Sequence, residues 1–293
     1  MITYDEPLIR PPSEARSLIL QATLGCSHNR CAFCVTYRNK RFRPRPAAEL
    51  DREIAWAGRH LPGTRRVFLA NGDALALGTE RLLAILAALH RELPALGRVS
   101  IYATPLNLRR KSVAELAQLR RAGLTLLYTG LESWDREVLA RIDKGVDPEE
   151  MAALYAKATA AGMKLSATVV LGLGGPRLSR RHALATAALV DRVKPRYLSA
   201  LTLMLPPREP SYAQAFGDPA WRLLGPREMV RELRLLVASI TAGGIIFRAN
   251  HASNHLALAG TLPKDKDRMV ARIDSTLADE ERSGFRPDWL RGL

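Results

Sequence analysis

Cys26, Cys31 and Cys34 are the only cysteines in the chain, and all three fall in the short segment LGCSHNRCAFC. An odd number of cysteines, so tightly grouped, is no disulfide framework. It marks metal ligation in a reducing compartment. The spacing is C-x4-C-x2-C. Tetrahedral zinc needs four ligands, and His28 is a candidate fourth, but structural zinc sites draw on two separated pairs and no second pair exists here. Plant-type ferredoxins begin with the same spacing and then require a fourth cysteine, which is missing. Three thiolates suffice for three irons of a [4Fe–4S] cluster, leaving the fourth iron open to a non-protein ligand, a catalytic arrangement rather than a closed electron-carrier site. Three buried thiols without metal are the remaining alternative.

The elements that must position this loop follow a regular order. The apolar run SLILQATLG leads into it with strand character. RRVFLAN (65–71) reads as a buried strand before the helical pattern TERLLAILAALHREL. RVSIYAT (98–104) precedes SVAELAQLRRAG, LTLLYTG (124–130) precedes helical stretches from Trp134 and Pro148, and KLSATVVLGLGG (164–175) precedes SRRHALATAALVDRV. RYLSALTLML (196–205) is a sixth strand. Strands alternating with helices imply βαβ units and a parallel sheet, and six such units suit an α/β partial (β/α)6 TIM-like barrel. A boundary falls at LPPREPSYAQAFGDP, which includes Pro206 and Pro207. After it come a helix from Pro226 to Ala242, a strand IIFRA, a polar turn NHASNH and a last helix from Lys264 to Arg282. The expected organisation is an arm (1–17), a core (18–205) and a short α+β C-terminal extension (206–293) that covers the barrel mouth.

In such folds the sites lie at the C-terminal strand ends. Those positions hold the cysteine loop, Asn71-Gly72-Asp73, Thr104-Pro105 with Asn107, Gly130-Leu131-Glu132-Ser133, Leu171-Gly172-Leu173-Gly174-Gly175, and Met204-Leu205. Asp73 can accept from an ammonium group and Glu132 from ribose hydroxyls. Glycines let backbone approach a ligand closely. Asn-Gly-Asp alone is an ordinary turn, so the signal is its co-location with the cysteines.

LGCSHNRCAFC, ANGD, TGLESWDREVLARIDKG and VVLGLGG together resemble the radical S-adenosylmethionine (radical SAM) superfamily. Within it the likeness is greatest to the elongator acetyltransferase-like, methylthiotransferase-like and coproporphyrinogen oxidase-like branch. It spans roughly residues 18–205, and FRANHASNHLALAGTLPKDKDRMVARID resembles the C-terminal part of compact members. The resemblance implies a partial (β/α)6 barrel, with Cys26, Cys31 and Cys34 as ligands of a [4Fe–4S] cluster and S-adenosylmethionine as the second cofactor. It implies that Phe33 packs near adenine and that Asn71, Gly72 and Asp73 hold the methionyl amino group. Glu132 and Ser133 would contact SAM at the fourth strand, Leu171, Gly172 and Gly174 would border adenine, and Lys144 would lie near the SAM carboxylate. The implied reaction is reductive cleavage of SAM to a 5′-deoxyadenosyl radical that abstracts hydrogen from a substrate, fed by an electron donor such as a flavodoxin or ferredoxin. The usual spacing is C-x3-C-x2-C. The extra residue here alters the loop path around His28 and Asn29.

Substrate contacts are sought at Tyr37, Arg38 and Arg41, beside the cluster loop, and at Asn250, His251, Ser253, Asn254 and His255. On a helix His251 and His255 would share a face, although a metal reading lacks a third ligand. His60, His90 and His182 fall in or beside amphipathic helices and read as solvent-facing, while Tyr102 and Tyr128 read as core or barrel lining. The chain carries 44 Lys and Arg against 29 Asp and Glu, a net charge of +15 in 293 residues. This charge suits an anionic substrate. It also raises the alternative of a nucleic-acid substrate such as tRNA, although the arginines are scattered rather than grouped. A non-enzymatic Fe–S carrier is a third reading, under which Asp73 and Glu132 have no task. No apolar run is long enough to span a membrane, and the polar N-terminus lacks a secretory h-region, so a cytoplasmic, oxygen-protected enzyme is expected, acting on a small molecule as oxidoreductase or transferase.

Overall fold

The computed structural model describes residues 1–205, 211–279 and 284–292. Pro206, Pro207 and the expected last turn of the final helix, up to Arg282, lie outside the described residues. The strands are β1 (Leu18–Gln21), β2 (Thr23–Leu24), β3 (Arg43–Pro44), β4 (Arg66–Ala70), β5 (Arg98–Ala103), β6 (Leu124–Glu132), β7 (Lys164–Leu171), β8 (Tyr197–Thr202), β9 (Ile245–Arg248) and β10 (Ala259–Leu262). The helices are α1 (Ala47–His60), α2 (Thr79–Glu92), α3 (Pro105–Arg109), α4 (Val113–Arg121), α5 (Arg136–Arg141), α6 (Pro148–Ala160), α7 (Gly175–Val193), α8 (Ser211–Phe216), α9 (Pro226–Ser239) and α10 (Lys266–Ala278). An eight-stranded sheet has the order β1-β4-β5-β6-β7-β8-β9-β10, and β2 pairs with β3 in a separate ribbon. The expected α/β class is present, with β1, β4, β5 and β6 parallel in chain order and β7, β8 and β9 parallel in chain order. Contacts divide the chain into two units.

The first unit comprises Met1–Arg30, Cys34–Thr129 and Ala153–Leu165. Its strands β1, β4, β5 and β6 pair in parallel, with Leu18 opposite Val67 and Arg66 opposite Arg98. These strands are apolar on both faces, as parallel strands covered by helices must be: Val67, Phe68, Leu69 and Ala70 are all fully buried. Tyr102 and Tyr128 stand edge-on around Phe68, with ring centroids 4.8 and 5.4 Å away, the favoured geometry for aromatic quadrupoles. The polar arm is tied to this unit. Glu14 is fully buried and accepts from Arg98 (2.7 Å), Ser100 (3.0 Å) and Tyr128 (2.6 Å). Thr3 donates twice to Glu53, and Asp5 exchanges bonds with Gln21.

The second unit comprises Cys31–Phe33, Gly130–Ala152 and Ser166–Leu293. Here β7, β8 and β9 are parallel and β10 closes the edge antiparallel. Helix α9 packs against both α7 and α10. His182, read as solvent-facing, is instead buried at 2% exposure. It shares an α7 stripe with Leu178, Thr186, Leu189 and Val193, which repeats at helical spacing and faces inward. Helix α1, whose buried Leu50, Ile54 and Ala57 stand at helical spacing, and strand β10 were not among the expected elements. Strand β7 ends at Leu171, four residues short of its expected end, because Gly172 turns the chain at φ +87°.

The buried Glu14 makes a prediction. Arg98, Ser100 and Tyr128 all donate to Oε1 and the Ser17 hydroxyl donates to Oε2, so Glu14→Gln removes the charge that answers Arg98 and sets an amide donor against at least one of these four donors, and should cost about 1–3 kcal/mol. Urea unfolding measures that loss, with bound iron unchanged.

Candidate functional site

In the first unit, the parallel register of β1 and β4 sets Gln21 opposite Ala70, so the segments that follow both strands run side by side. The ribbon β2–β3 then ties residues 23–24 to 43–44, closing the base of the segment that carries the cysteines. The Thr23 hydroxyl donates to the Asn71 carbonyl (2.7 Å). Gly72 has φ +51°, and an added Cβ would overlap the Gly25 carbonyl and come within 2.9 Å of Cys26 Cα. Asn-Gly-Asp therefore needs its glycine for two reasons, the left-handed backbone and the close approach of the chain.

Asp73 is fully buried. Its Oδ1 accepts from the Ser27 N–H (3.0 Å), and its Oδ2 from the Ser27 hydroxyl and from Asn107 Nδ2 (3.1 Å). Burial pushes its carboxyl above the usual range, opposed by the Ser27 and Asn107 bonds. Asn107 is itself held by a reciprocal capping box with Thr104 at the start of α3. The motif thus ends in a carboxylate fastened to the residue after Cys26. Tyr37 is buried too, donating to Asn71 Oδ1 (3.0 Å) and accepting from the Gly72 N–H (3.1 Å). Burial pushes its phenol up to about 12. Its hydroxyl is committed to the motif, whereas Arg38 and Arg41, from the same expected group, are exposed.

None of the three cysteines is in a disulfide, and each is half-buried. Cys26, Cys34 and Asp73 are mutual electrostatic neighbours of Tyr37. Burial, then Asp73, pushes the Cys26 thiol up, and backbone N–H groups of Asn29 and His28 directed at its sulfur pull it down. His28 itself belongs to that backbone support.

In the second unit, β6 ends at Glu132, which adopts φ +60°, a conformation that a non-glycine residue holds only at a cost of order 1–3 kcal/mol. Its Oε1 accepts from Lys144 Nζ (3.0 Å), and its Oε2 is buried with no partner. Ser133 is fully buried, its Oγ accepting from the Asp135 N–H (3.0 Å) and lying 2.8 Å from His182 Nδ1. Leu171 is buried at the end of β7, followed by Gly172 and Gly174 in the turn into α7. Phe33 is half-buried. The turn after β9 is not helical. Asn254 bridges β8, accepting from the Thr202 hydroxyl (3.0 Å) and donating to the Ala200 carbonyl (2.8 Å). Ser253 accepts from the Thr202 N–H (3.3 Å) and meets His251 Nδ1 at 3.0 Å. His255 is buried with Nδ1 unpartnered, His251 is half-buried and Asn250 is exposed. Desolvation, reinforced by Arg286 for His251 and Arg291 for His255, pushes both imidazoles down toward the neutral form.

The model of the radical SAM superfamily matches residues 20–190, more than half of the chain, and the chain belongs to that superfamily. Coproporphyrinogen III oxidase (HemN) from Escherichia coli has a similar structure, with TM-score 0.57 and 20% identity over 76% of this chain and 51% of that one. Methylornithine synthase (PylB) gives 0.53 and 14% over 91% and 83%. Elp3 from the archaeon Methanocaldococcus infernus gives 0.53 and 12% over 78% and 58%. At these identities the likeness is one of fold, and the chain spans about half the length of HemN. No curated protein matches the sequence. Enzymes of the superfamily use a [4Fe–4S] cluster and S-adenosylmethionine, and these are the cofactors of this chain. Among the described residues no helix is long and apolar enough to cross a membrane.

The side chains fit those cofactors. The N–H groups aimed at Cys26 support a thiolate. The unpartnered Glu132 Oε2 is an acceptor that a ligand hydroxyl would satisfy. Ser27 and Glu232 were not among the expected site residues, and His182 was expected to face solvent. Glu232 was detectable as the one carboxylate on the buried stripe of α9, among Met229, Leu233 and Leu236.

Gly72→Ala should lower stability by about 1–3 kcal/mol through the strained backbone and displace the Gly25–Cys26 backbone. Iron and sulfide retained after anaerobic reconstitution should fall well below wild type, and retention at the wild-type level would show that the contact does not govern the loop.

Proposed function

We propose that this chain is a radical SAM enzyme that cleaves S-adenosylmethionine reductively and abstracts hydrogen from an anionic small molecule. The observation that carries the reading is the pinned Cys26 loop beside a buried Asn-Gly-Asp motif, in a chain of this superfamily. When bound, the cluster and S-adenosylmethionine supply one-electron cleavage of a C–S bond to a 5′-deoxyadenosyl radical. The protein supplies position and exclusion of water.

In this reading Cys26, Cys31 and Cys34 hold three irons. Asp73 keeps Ser27 in place and, with one of its roughly four acceptor directions still open, takes the methionyl ammonium beside Asn71 and Gly72. Glu132 receives ribose hydroxyls on its open Oε2, its Oε1 steadied by Lys144, which also serves the SAM carboxylate. Ser133 supports that contact. Leu171, Gly172 and Gly174 border adenine, with Phe33 as the aromatic partner. Arg38 and Arg41 are exposed cations able to pair with a carboxylate or phosphate, and Asn250, His251 and His255 offer neutral donors and acceptors. Tyr37 and Asn254 act from behind as struts. Residues 18–205 serve as the cofactor core, with 1–17 as an arm and 206–293 as the extension that covers the substrate side. A flavodoxin or ferredoxin is the proposed reductant, and the proposed setting is the cytoplasm. The carrier reading leaves the open Glu132 oxygen without a task. The tRNA reading rests on the net charge of +15.

The test is anaerobic: reconstituted protein, S-adenosylmethionine and dithionite, with products read by mass spectrometry. 5′-Deoxyadenosine should form with wild type and fall to background with Cys31→Ala, which should remain folded but lack a four-iron cluster. Full iron and sulfide in Cys31→Ala would overturn the ligand assignment, and methylthioadenosine in place of 5′-deoxyadenosine would mean that a different C–S bond breaks, overturning the deoxyadenosyl reading in favour of aminocarboxypropyl transfer. Stimulation by added tRNA alone would move the substrate assignment to nucleic acid.

A further inference from the structure

The buried carboxylate of Glu232 has no part in the roles above. It comes from α9, in the C-terminal segment, yet it reaches the turn after β7. Glu232 is fully buried, its Oε1 accepting from the Gly172 N–H at 2.7 Å and its Oε2 from the Ser179 hydroxyl. His182 Nε2 lies 3.6 Å from Oε1 and 3.1 Å from the Val170 carbonyl. Two acceptors face Nε2, so the hydrogen-bond network assigns the proton to that nitrogen. Nδ1 then accepts from the Ser133 hydroxyl, 2.8 Å away. Glu232 therefore bonds the Gly172 N–H directly, while His182, beside it at 3.6 Å and beyond hydrogen-bond distance, links the Val170 carbonyl to the Ser133 hydroxyl.

Met229, one helical turn before Glu232, completes the grip. An added Cβ at Gly172 would lie 2.8 Å from Met229 Sδ and overlap its methyl group. One face of α9 thus fills the space over Gly172 and accepts its N–H. The next residue is held from the same segment, since Tyr212 and Trp221 both donate to the Leu173 carbonyl (2.7 and 3.3 Å). A carboxyl group buried among apolar neighbours is costly unless fixed donors answer it. An apolar residue would serve packing alone at least as well.

We propose that Glu232 is a positioning residue for S-adenosylmethionine: with Met229 it locks the Gly172 turn in one arrangement, beside the His182 that holds the Ser133 hydroxyl, so that the β7 end meets the cofactor already ordered. This rests on the reading of Ser133 and Gly172 as cofactor contacts. The function is to pay the ordering entropy at folding rather than at binding.

The experiment uses the anaerobically reconstituted protein. It measures the SAM dissociation constant by equilibrium dialysis and amide hydrogen exchange over residues 169–175, for wild type, Glu232→Ala, Glu232→Gln and Glu14→Gln. Glu232→Ala should weaken SAM binding about tenfold or more, the scale expected when a buried N–H loses its acceptor, and should speed exchange at Gly172. Glu232→Gln keeps an acceptor oxygen and should stay within about threefold of wild type. Glu14→Gln, which loses stability elsewhere, should bind SAM as wild type does. If Glu232→Ala does not fold, Met229→Ala removes the other half of the grip and should also weaken binding. Wild-type affinity in folded Glu232→Ala or Met229→Ala would overturn the proposal, as would equal weakening in Glu14→Gln. Absence of SAM binding by the wild type would overturn the functional reading together with it.

Discussion

The arrangement of the first unit depends on one backbone contact. Gly72 lies against Gly25 and Cys26 so closely that no side chain fits between them. Parallel pairing of β1 with β4 brings the two segments together, and the missing Cβ lets them touch. Everything polar around them secures that contact. Asp73 grips Ser27, Asn107 grips Asp73, Tyr37 bonds both Asn71 and Gly72, and Thr23 holds the Asn71 carbonyl. The cysteine loop thus departs from a rigid base, as a site that must hold its ligands in place requires.

The second unit solves a related problem with buried charge. Glu132 and Glu232 each cost desolvation, and each is answered by fixed donors. Glu232 is fully used, by Gly172 and Ser179. Glu132 is not: Lys144 occupies one oxygen, the other is buried and open, and the backbone beneath it is strained at φ +60°. An unsatisfied buried acceptor on a strained residue is unstable in isolation and sensible where a ligand completes it. His182 lies beside Glu232 and bonds the Val170 carbonyl and the hydroxyl of Ser133, the residue after Glu132.

Local pattern made much of this legible. The cysteine spacing, the strand–helix alternation and the strand-end positions of Asp73 and Glu132 are short-range features, and the strands within each unit stand in the expected chain order. What stayed hidden depends on tertiary partners. His182 is polar and sits in an arginine-rich helix, so its inward orientation shows only when Leu178 and Thr186 are placed on the same stripe. Tyr37 beside two arginines reads as surface, but its hydroxyl finds acceptor and donor in a motif thirty-odd residues away. Glu232 looks like one more acidic residue of an amphipathic helix until its i−3 neighbour Met229 and the Gly172 turn are seen together. Chain ends of elements shifted where a turn residue, such as Gly172, outweighed the apolar run.

In the proposed reading the loop from Cys26 to Cys34 would present a four-iron cluster with one iron open to S-adenosylmethionine. Electron paramagnetic resonance of the anaerobically reduced protein tests it most directly, recorded before and after S-adenosylmethionine is added. A four-iron signal whose g values and line shape change on addition is expected, because the amino and carboxylate groups would bind the open iron. A four-iron signal identical with and without S-adenosylmethionine, or no four-iron signal at all, would contradict it.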